Sequence, residues 1–219
     1  MKFDEKSLRL YAVTDRSWLN GASLEWQVEE ALKGGATFVQ LREKNLERKS
    51  FYREAVSIGK LCREYGVPFV IDDDVELALE SGADGVHIGQ SDMALRDARE
   101  QLGPEKIIGV SARTLEEALE AERNGADYLG VGAVFSTSTK LDAVDVSLET
   151  LREICGSVSI PVVAIGGIKA DNLPLLSGTG IAGVAVVSAI FAASDIRKAA
   201  AELKRLSEEA AGGKAGKVR

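Results

Sequence analysis

The chain has 219 residues, 45% of them hydrophobic and 28% charged, enough for a substantial core in one α/β barrel or one and a half ordinary domains. A formal charge of -7 and a sequence pI near 5.0 argue against a nucleic-acid surface, which needs a broad basic patch, and leave room for a small anion held by a local group of cations. No apolar run has the length or the flanks of a membrane span or a signal peptide, so a soluble, cytoplasmic protein working away from the membrane is expected.

Eight short β-branched or apolar runs recur along the chain. In order they are LRLYAVT (8 to 14), TFVQLR (37 to 42), PFVI (68 to 71), GVHI (85 to 88), KIIGVS (106 to 111), YLGVGAVF (128 to 135), PVVAIGG (161 to 167) and GVAVVS (183 to 188). Between them lie stretches such as SLEWQVEEALKGG, LERKSFYREAVSIGKLCREYG and TLEEALEAERNGA, with apolar residues at helical spacing and a Gly near the end as a C-cap. The phrases GGAT, SGADGV, NGADYLGV and TGIAGVAV repeat one sequence of events: helix end, tight turn, next strand. Such alternation implies a parallel sheet. Eight units without a long linker or a shift in composition favour a single (β/α)8 TIM barrel over a doubly wound open sheet. The barrel is expected over residues 1–209, with 210–219 as a flexible C-terminal tail. Cys62 and Cys155 fall inside apolar helical patterns without metal-type spacing, so buried free thiols are expected and neither is a site candidate.

In a barrel of this kind, functional residues gather where strands hand over to loops at their C-terminal ends. The second strand ends in QLREK, where alternation sends Gln40, Arg42 and Lys44 to one side and Leu41 and Glu43 to the other. The same residues also fit a solvated strand end. The third strand ends in three consecutive carboxylates, Asp72, Asp73 and Asp74, which must be compensated by a cation or by the N-terminus of the helix that follows; simple N-capping is the competing explanation. The fourth strand ends in HIGQSDM and supplies Asp92. Asp73 and Asp92, from neighbouring strand ends without a Cys or His pair nearby, form a donor set suited to Mg2+ shared with phosphate oxygens.

His87 is the single histidine and lies within the fourth strand, so a core or supporting role is favoured over catalysis, and a histidine relay is not expected. The fifth strand ends at Ser111. After the sixth comes VFSTSTK, whose hydroxyls and Lys140 are all donors that fit phosphate oxygens, although a Ser/Thr cluster is also the ordinary composition of a solvated loop. Gly166 and Gly167 after the seventh strand allow close backbone approach, and Val187 and Ser188 precede a helical turn; strands seven and eight commonly carry a barrel's phosphate site. Two phosphate-bearing groups are therefore expected.

With these residues assembled, the chain resembles the thiamine-phosphate synthase family from about Leu8 to about Ala193. The resemblance rests on QLREK, HIGQSD, GVSA, a hydroxyl-rich F-x-T-x-TK loop, AIGGI and VVSAI, in that order. It implies an enzyme that joins 4-amino-2-methyl-5-hydroxymethylpyrimidine diphosphate to 4-methyl-5-(2-hydroxyethyl)thiazole phosphate, giving thiamine phosphate and pyrophosphate. In that chemistry the bond from methylene to pyrophosphate breaks in a largely dissociative step and no general base is needed. The resemblance further implies that Arg42, Lys44 and Lys140 neutralise the departing pyrophosphate with Mg2+ on Asp73 and Asp92, while Gln40 binds the pyrimidine edge and Ser111 lies by the reacting methylene. Thr137, Gly167, Val187 and Ser188 would hold the thiazole phosphate, Thr139 would lie on the pyrophosphate side, and Ser138 would belong to the same substrate-binding loop. A homodimer is implied at family level alone.

Three positions depart from the family pattern. Asp72 stands where Asn is usual, and an acid facing pyrophosphate should repel it unless protonated, turned away or metal-bound. Ser136 replaces Pro, and Arg113 replaces a frequent His. A thiazole tautomerase-like branch of the same fold typically lacks the QLREK and paired-Asp set. A Schiff-base aldolase would use Lys140 as nucleophile after a depression of its pKa, and a barrel that binds phosphorylated metabolites without turnover is a further alternative.

Overall fold

The computed structural model describes residues 4–136 and 145–212. Eight parallel strands close into a barrel in sequence order: β1 (Leu10–Val13), β2 (Phe38–Leu41), β3 (Phe69–Asp72), β4 (Gly85–Ile88), β5 (Ile107–Ala112), β6 (Tyr128–Val131), β7 (Val162–Ile165) and β8 (Gly183–Val186). Closure is made by β1 against β8, with Leu10 opposite Val184 and Ala12 opposite Val186. The outer layer comprises α1 (Leu24–Lys33), α2 (Arg48–Glu64), α3 (Val75–Ser81), α4 (Leu95–Leu102), α5 (Leu115–Arg123), α6 (Leu148–Ser157), the short α7 (Ser188–Phe191) and α8 (Ile196–Gly212). A 3-10 turn, Leu173–Leu176, occupies the β7 to β8 connection. All eight expected strands and the (β/α)8 architecture are present.

Local chemistry sets where helices begin. Ser23, Asp74, Thr114 and Ser147 each accept a hydrogen bond from a backbone N–H in the first turn of the helix they precede. The alternation within strands builds two cores. Leu10, Val39, Ile71, Val86 and Leu129 face outward and pack with the helices, whereas Tyr11, Phe38, Val70, Tyr128 and Val163 fill the barrel interior. Gly109 is required by this filling, because a Cβ there would overlap the Tyr128 ring.

Two boundaries differ from expectation. The sixth strand stops at Val131, four residues earlier than the apolar run suggests. Gly132 packs against the Ile165 carbonyl, and Val134 and Phe135 then donate to the carbonyls of Ile165 and Gly166 at the end of β7 (3.0 and 3.1 Å). The last helix runs on to Gly212 with Ala210 buried, three residues past the expected end of the barrel. Cys62 is buried and Cys155 partly so, both as free thiols whose pKa burial pushes up to about 12. Among the described residues no helix is long and apolar enough to cross a membrane.

Candidate active site

A cavity of about 780 Å3 opens at the C-terminal ends of the strands. One wall comes from the ends of β2 and β3. Gln40 is, like Phe38, an inward residue of β2 and is buried, while β2 ends at Leu41, so Arg42 and Lys44 stand on the loop rather than on the strand. The turn is held by the Arg42 N–H on Thr14 Oγ1 at 3.0 Å. Gln40, Arg42 and Lys44 nevertheless all line the cavity, and Glu43 turns away to meet Arg16 Nε at 2.6 Å.

The three carboxylates after β3 separate into different surroundings. Asp74 caps α3 through Leu77 N at 2.8 Å and pairs with Arg48. Asp73 adopts φ +62, a left-handed conformation that Asp tolerates better than most residues, and its own N–H donates to the His87 carbonyl at 2.8 Å. Its side chain meets Lys44 Nζ at 3.4 Å, and it lies close enough to Asp92 for the two acids to influence each other. Burial, then the Asp92 contact and charge, raise the Asp73 pKa against the pull of Lys44. Asp92 Oδ2 also accepts the Gly89 N–H at 2.7 Å.

Asp72 is more deeply placed, with Oδ2 at 3.5 Å from Arg42 Nε. Burial, followed by the charge of Asp73, pushes its pKa up to about 7 although Arg42 and Lys44 oppose the shift. A carboxyl in this state carries much less negative charge than an exposed aspartate, which answers part of the objection to an acid at this position. Arg42 is shared with Asp15 at 3.8 Å.

The opposite wall is backbone and hydroxyl. Gly166 and Gly167 have φ of +100 and +62, and a Cβ at Gly167 would overlap the carbonyls of Phe135 and Ser136. Val187 and Ser188 line the cavity at the start of α7. Ser111, on β5, sits between the two walls, its Oγ 3.0 Å from His87 Nε2 and its carbonyl accepting from Gln90 Nε2 at 2.6 Å. Arg113 lines the same cavity. Thr137, Ser138, Thr139 and Lys140 lie outside the described residues.

The expected residues that are described thus surround one space: Gln40, Arg42, Lys44, Asp72, Asp73 and Asp92 on one side, Gly167, Val187 and Ser188 on the other, with Ser111 between. Sequence reasoning passed over Thr14, Asp15, Tyr11 and Tyr128. The tyrosines could have been found from strand alternation, because each occupies an inward position like Gln40; the ligation of Arg42 by Asp15 has no local signal. His87 also lines the cavity, beside Ser111.

Cations and carboxylates on one wall, and on the other close-approach glycines after β7 with Val187 and Ser188 after β8, define a (β/α)8 protein fitted to phosphorylated small molecules. The profile of a family described as thiamine monophosphate synthase matches residues 10–190. A thiamine-phosphate synthase of Clostridium acetobutylicum is 54% identical over 189 residues, covering 86% of this chain and 90% of its own length. One from Ruminiclostridium cellulolyticum is 52% identical over 194 residues, covering 89% and 92%. Among solved structures, thiamine phosphate pyrophosphorylase from Pyrococcus furiosus superimposes with a TM-score of 0.87 at 47% identity, over 94% of this chain and 98% of that one. The chain belongs to the thiamine monophosphate synthase family.

Proposed function

We propose that this barrel condenses the pyrimidine diphosphate with the thiazole phosphate to give thiamine phosphate and pyrophosphate, the activity its family membership supports. The observation that carries the reading is the meeting of Arg42 and Lys44 with Asp72, Asp73 and Asp92 across one cavity from Gly167 and Ser188. Arg42 and Lys44 place positive charge where a departing pyrophosphate gathers negative charge, in a partly dehydrated cleft where such charges act strongly. Lys140, which follows β6 in sequence and lies outside the described residues, would add a third cation. Gln40 orients the pyrimidine edge and Asp72 lies beside it. Ser111 donates to the leaving group next to the reacting methylene, and Thr139 joins it from the loop. Thr137, Ser138, Gly167, Val187 and Ser188 hold the thiazole phosphate, so its nitrogen is brought to the carbon that the pyrophosphate leaves. Positioning and charge neutralisation suffice for a dissociative substitution, and no described side chain is asked to remove a proton from carbon.

Among the described residues no group of three or more His, Cys, Asp or Glu side chains is arranged for a metal. Mg2+ is nonetheless suited to this donor set, since it commonly binds one or two carboxylates and completes its shell with waters and substrate phosphates. The nearness of Asp92, which raises the cost of ionising Asp73, is the kind of arrangement a divalent cation relieves. Asp73 and Asp92 would hold Mg2+, which when bound supplies charge neutralisation to the diphosphate.

The test is a paired-product assay with both substrates and Mg2+, with and without EDTA. Equal, metal-dependent formation of thiamine phosphate and pyrophosphate supports the reading. Product formation indifferent to EDTA removes the metal role of Asp73 and Asp92, and tight binding of thiamine phosphate without turnover removes the enzyme. A homodimer working in the cytoplasm is the cellular setting that family resemblance supports, and sedimentation of the purified protein tests the dimer.

A further inference from the structure

A line of side-chain hydrogen bonds crosses the barrel at the cavity, with four of its five residues lining that space. Gln40 Nε2 donates to the Tyr11 hydroxyl at 3.0 Å, the Tyr11 and Tyr128 hydroxyls are 2.8 Å apart, and Tyr128 OH is 3.0 Å from His87 Nδ1. His87 Nε2 is in turn 3.0 Å from Ser111 Oγ. Five strands, β2, β1, β6, β4 and β5, contribute one residue each. Small residues leave room for it: a Cβ at Gly130 would lie 3.0 Å from His87 Cε1, and one at Gly109 would collide with Tyr128.

The number of protons on each group orders the line. A carboxamide nitrogen only donates, a phenol donates once, and a neutral imidazole has one N–H. With Gln40 donating and each buried phenol giving its one proton along the line, the Tyr11 proton goes to Tyr128 and the Tyr128 proton to His87 Nδ1. The imidazole proton is then on Nε2 and is given to Ser111 Oγ, so the serine proton is turned away from His87. At the other end the Gln40 carboxamide oxygen is left for a ligand N–H. Reversing the order requires the Gln40 amide to flip and the histidine to carry its proton on Nδ1. Both phenols stay protonated: burial raises the pKa of each, helped at Tyr11 by the Tyr128 contact, while at Tyr128 burial outweighs the lowering by the Tyr11 hydrogen bond and the charges of Asp72 and Asp127 add to it.

We propose that this line is a positioning device in which His87, held as the neutral Nε2–H tautomer, aims the Ser111 hydroxyl at the departing pyrophosphate while Gln40 presents its oxygen to the pyrimidine amino group. The ligand assignments rest on the synthase reading above. A hydroxyl oriented before the reaction needs no reorganisation as charge develops, which is where a preorganised donor gains its effect. His87 is a positioning residue here, acting through Ser111.

His87 is the only histidine in the chain, so a protein with 15N-labelled histidine yields a single imidazole to read by NMR. The expected result, without ligand at pH 7, is a neutral ring with its proton on Nε2, and Tyr128→Phe should weaken that preference by removing the donor to Nδ1. A ring protonated on Nδ1, or on both nitrogens, overturns the proposal. A kinetic cycle tests the action through Ser111. His87→Leu should lower kcat about tenfold with KM little changed, and should cost nothing further in a Ser111→Ala background. His87→Gln, which keeps an N–H donor, should recover most of the loss. Equal losses in both backgrounds would mean that His87 only supports the barrel, and the proposal falls. If the parent protein forms no thiamine phosphate, the synthase reading and the ligand assignments fall, while the tautomer still decides whether the line has the stated order.

Discussion

Asp72, Asp73 and Asp74 are adjacent in sequence, yet Asp72 faces Arg42, Asp73 faces Lys44 and Asp92, and Asp74 faces the first turn of α3. Each side chain consequently has its own expected phenotype. Replacing Asp72 by Asn removes a carboxyl whose charge opposes a diphosphate. Asp72→Asn should lower the KM for the pyrimidine diphosphate and the Mg2+ concentration for half-maximal rate by a few-fold; if titrations of both leave them unchanged, Asp72 has no electrostatic role. Arg42→Ala removes the cation that Asp72 and Asp15 hold at the cavity wall. Loss of one such donor to a developing anion typically costs about 10²- to 10³-fold in rate, and steady-state kinetics of this variant should show a fall in kcat of that order. A fall confined to KM would show that Arg42 only binds the ground state.

At the scale of elements, the Asp triplet divides: Asp74 caps α3, as the capping explanation has it, while Asp72 and Asp73 line the cavity. Asp74→Ala deletes the cap of α3, a loss of about 1 kcal/mol. The ion pairs of Arg48 to α3 are partly exposed and add little. A melting point lower by about 2–4 °C is expected from calorimetry, with the Mg2+ dependence of the rate unaltered. A changed metal dependence would place Asp74 in the site after all. The helix starts at Ser23 and Thr114 were legible because an N-cap is a local event between a side chain and an N–H three residues on. The true end of β6 was not, since the run YLGVGAVF is apolar throughout. What stops the strand is the close approach of Gly132 to the Ile165 carbonyl on β7, a residue 33 positions away.

For the molecule as a whole, closing the barrel buries groups that an open chain leaves in water. Glu43, held by Arg16, shares that guanidinium with Glu54, and burial first, with the charge of Glu54 opposing Arg16, raises its pKa to about 7. The folded state therefore binds this proton more tightly than the unfolded chain, so stability is fully present below the ordinary value near 4.5 and declines as pH rises toward 7. Asp72 contributes in the same direction. Glu43→Gln should flatten the fall in melting temperature between pH 5 and pH 8 by about 2–4 °C, about 1 kcal/mol. Identical slopes in parent and variant would contradict the assignment.

Taken alone, the sequence determined the alternation of strand and helix, the eight units, the cations and carboxylates of the mouth and the family to which they belong. These depend on residue type and on periods of 2 and 3.6 residues, which are local properties. The tertiary structure decided which of those groups meet. Tyr11 and Tyr128, 117 residues apart, share a hydrogen bond only because the barrel closes around them. Arg42 meets Asp15 and Asp72 for the same reason, since parallel pairing lays β1, β2 and β3 side by side. No periodicity encodes such a pairing; it follows from burying one face of every strand in a single closed interior.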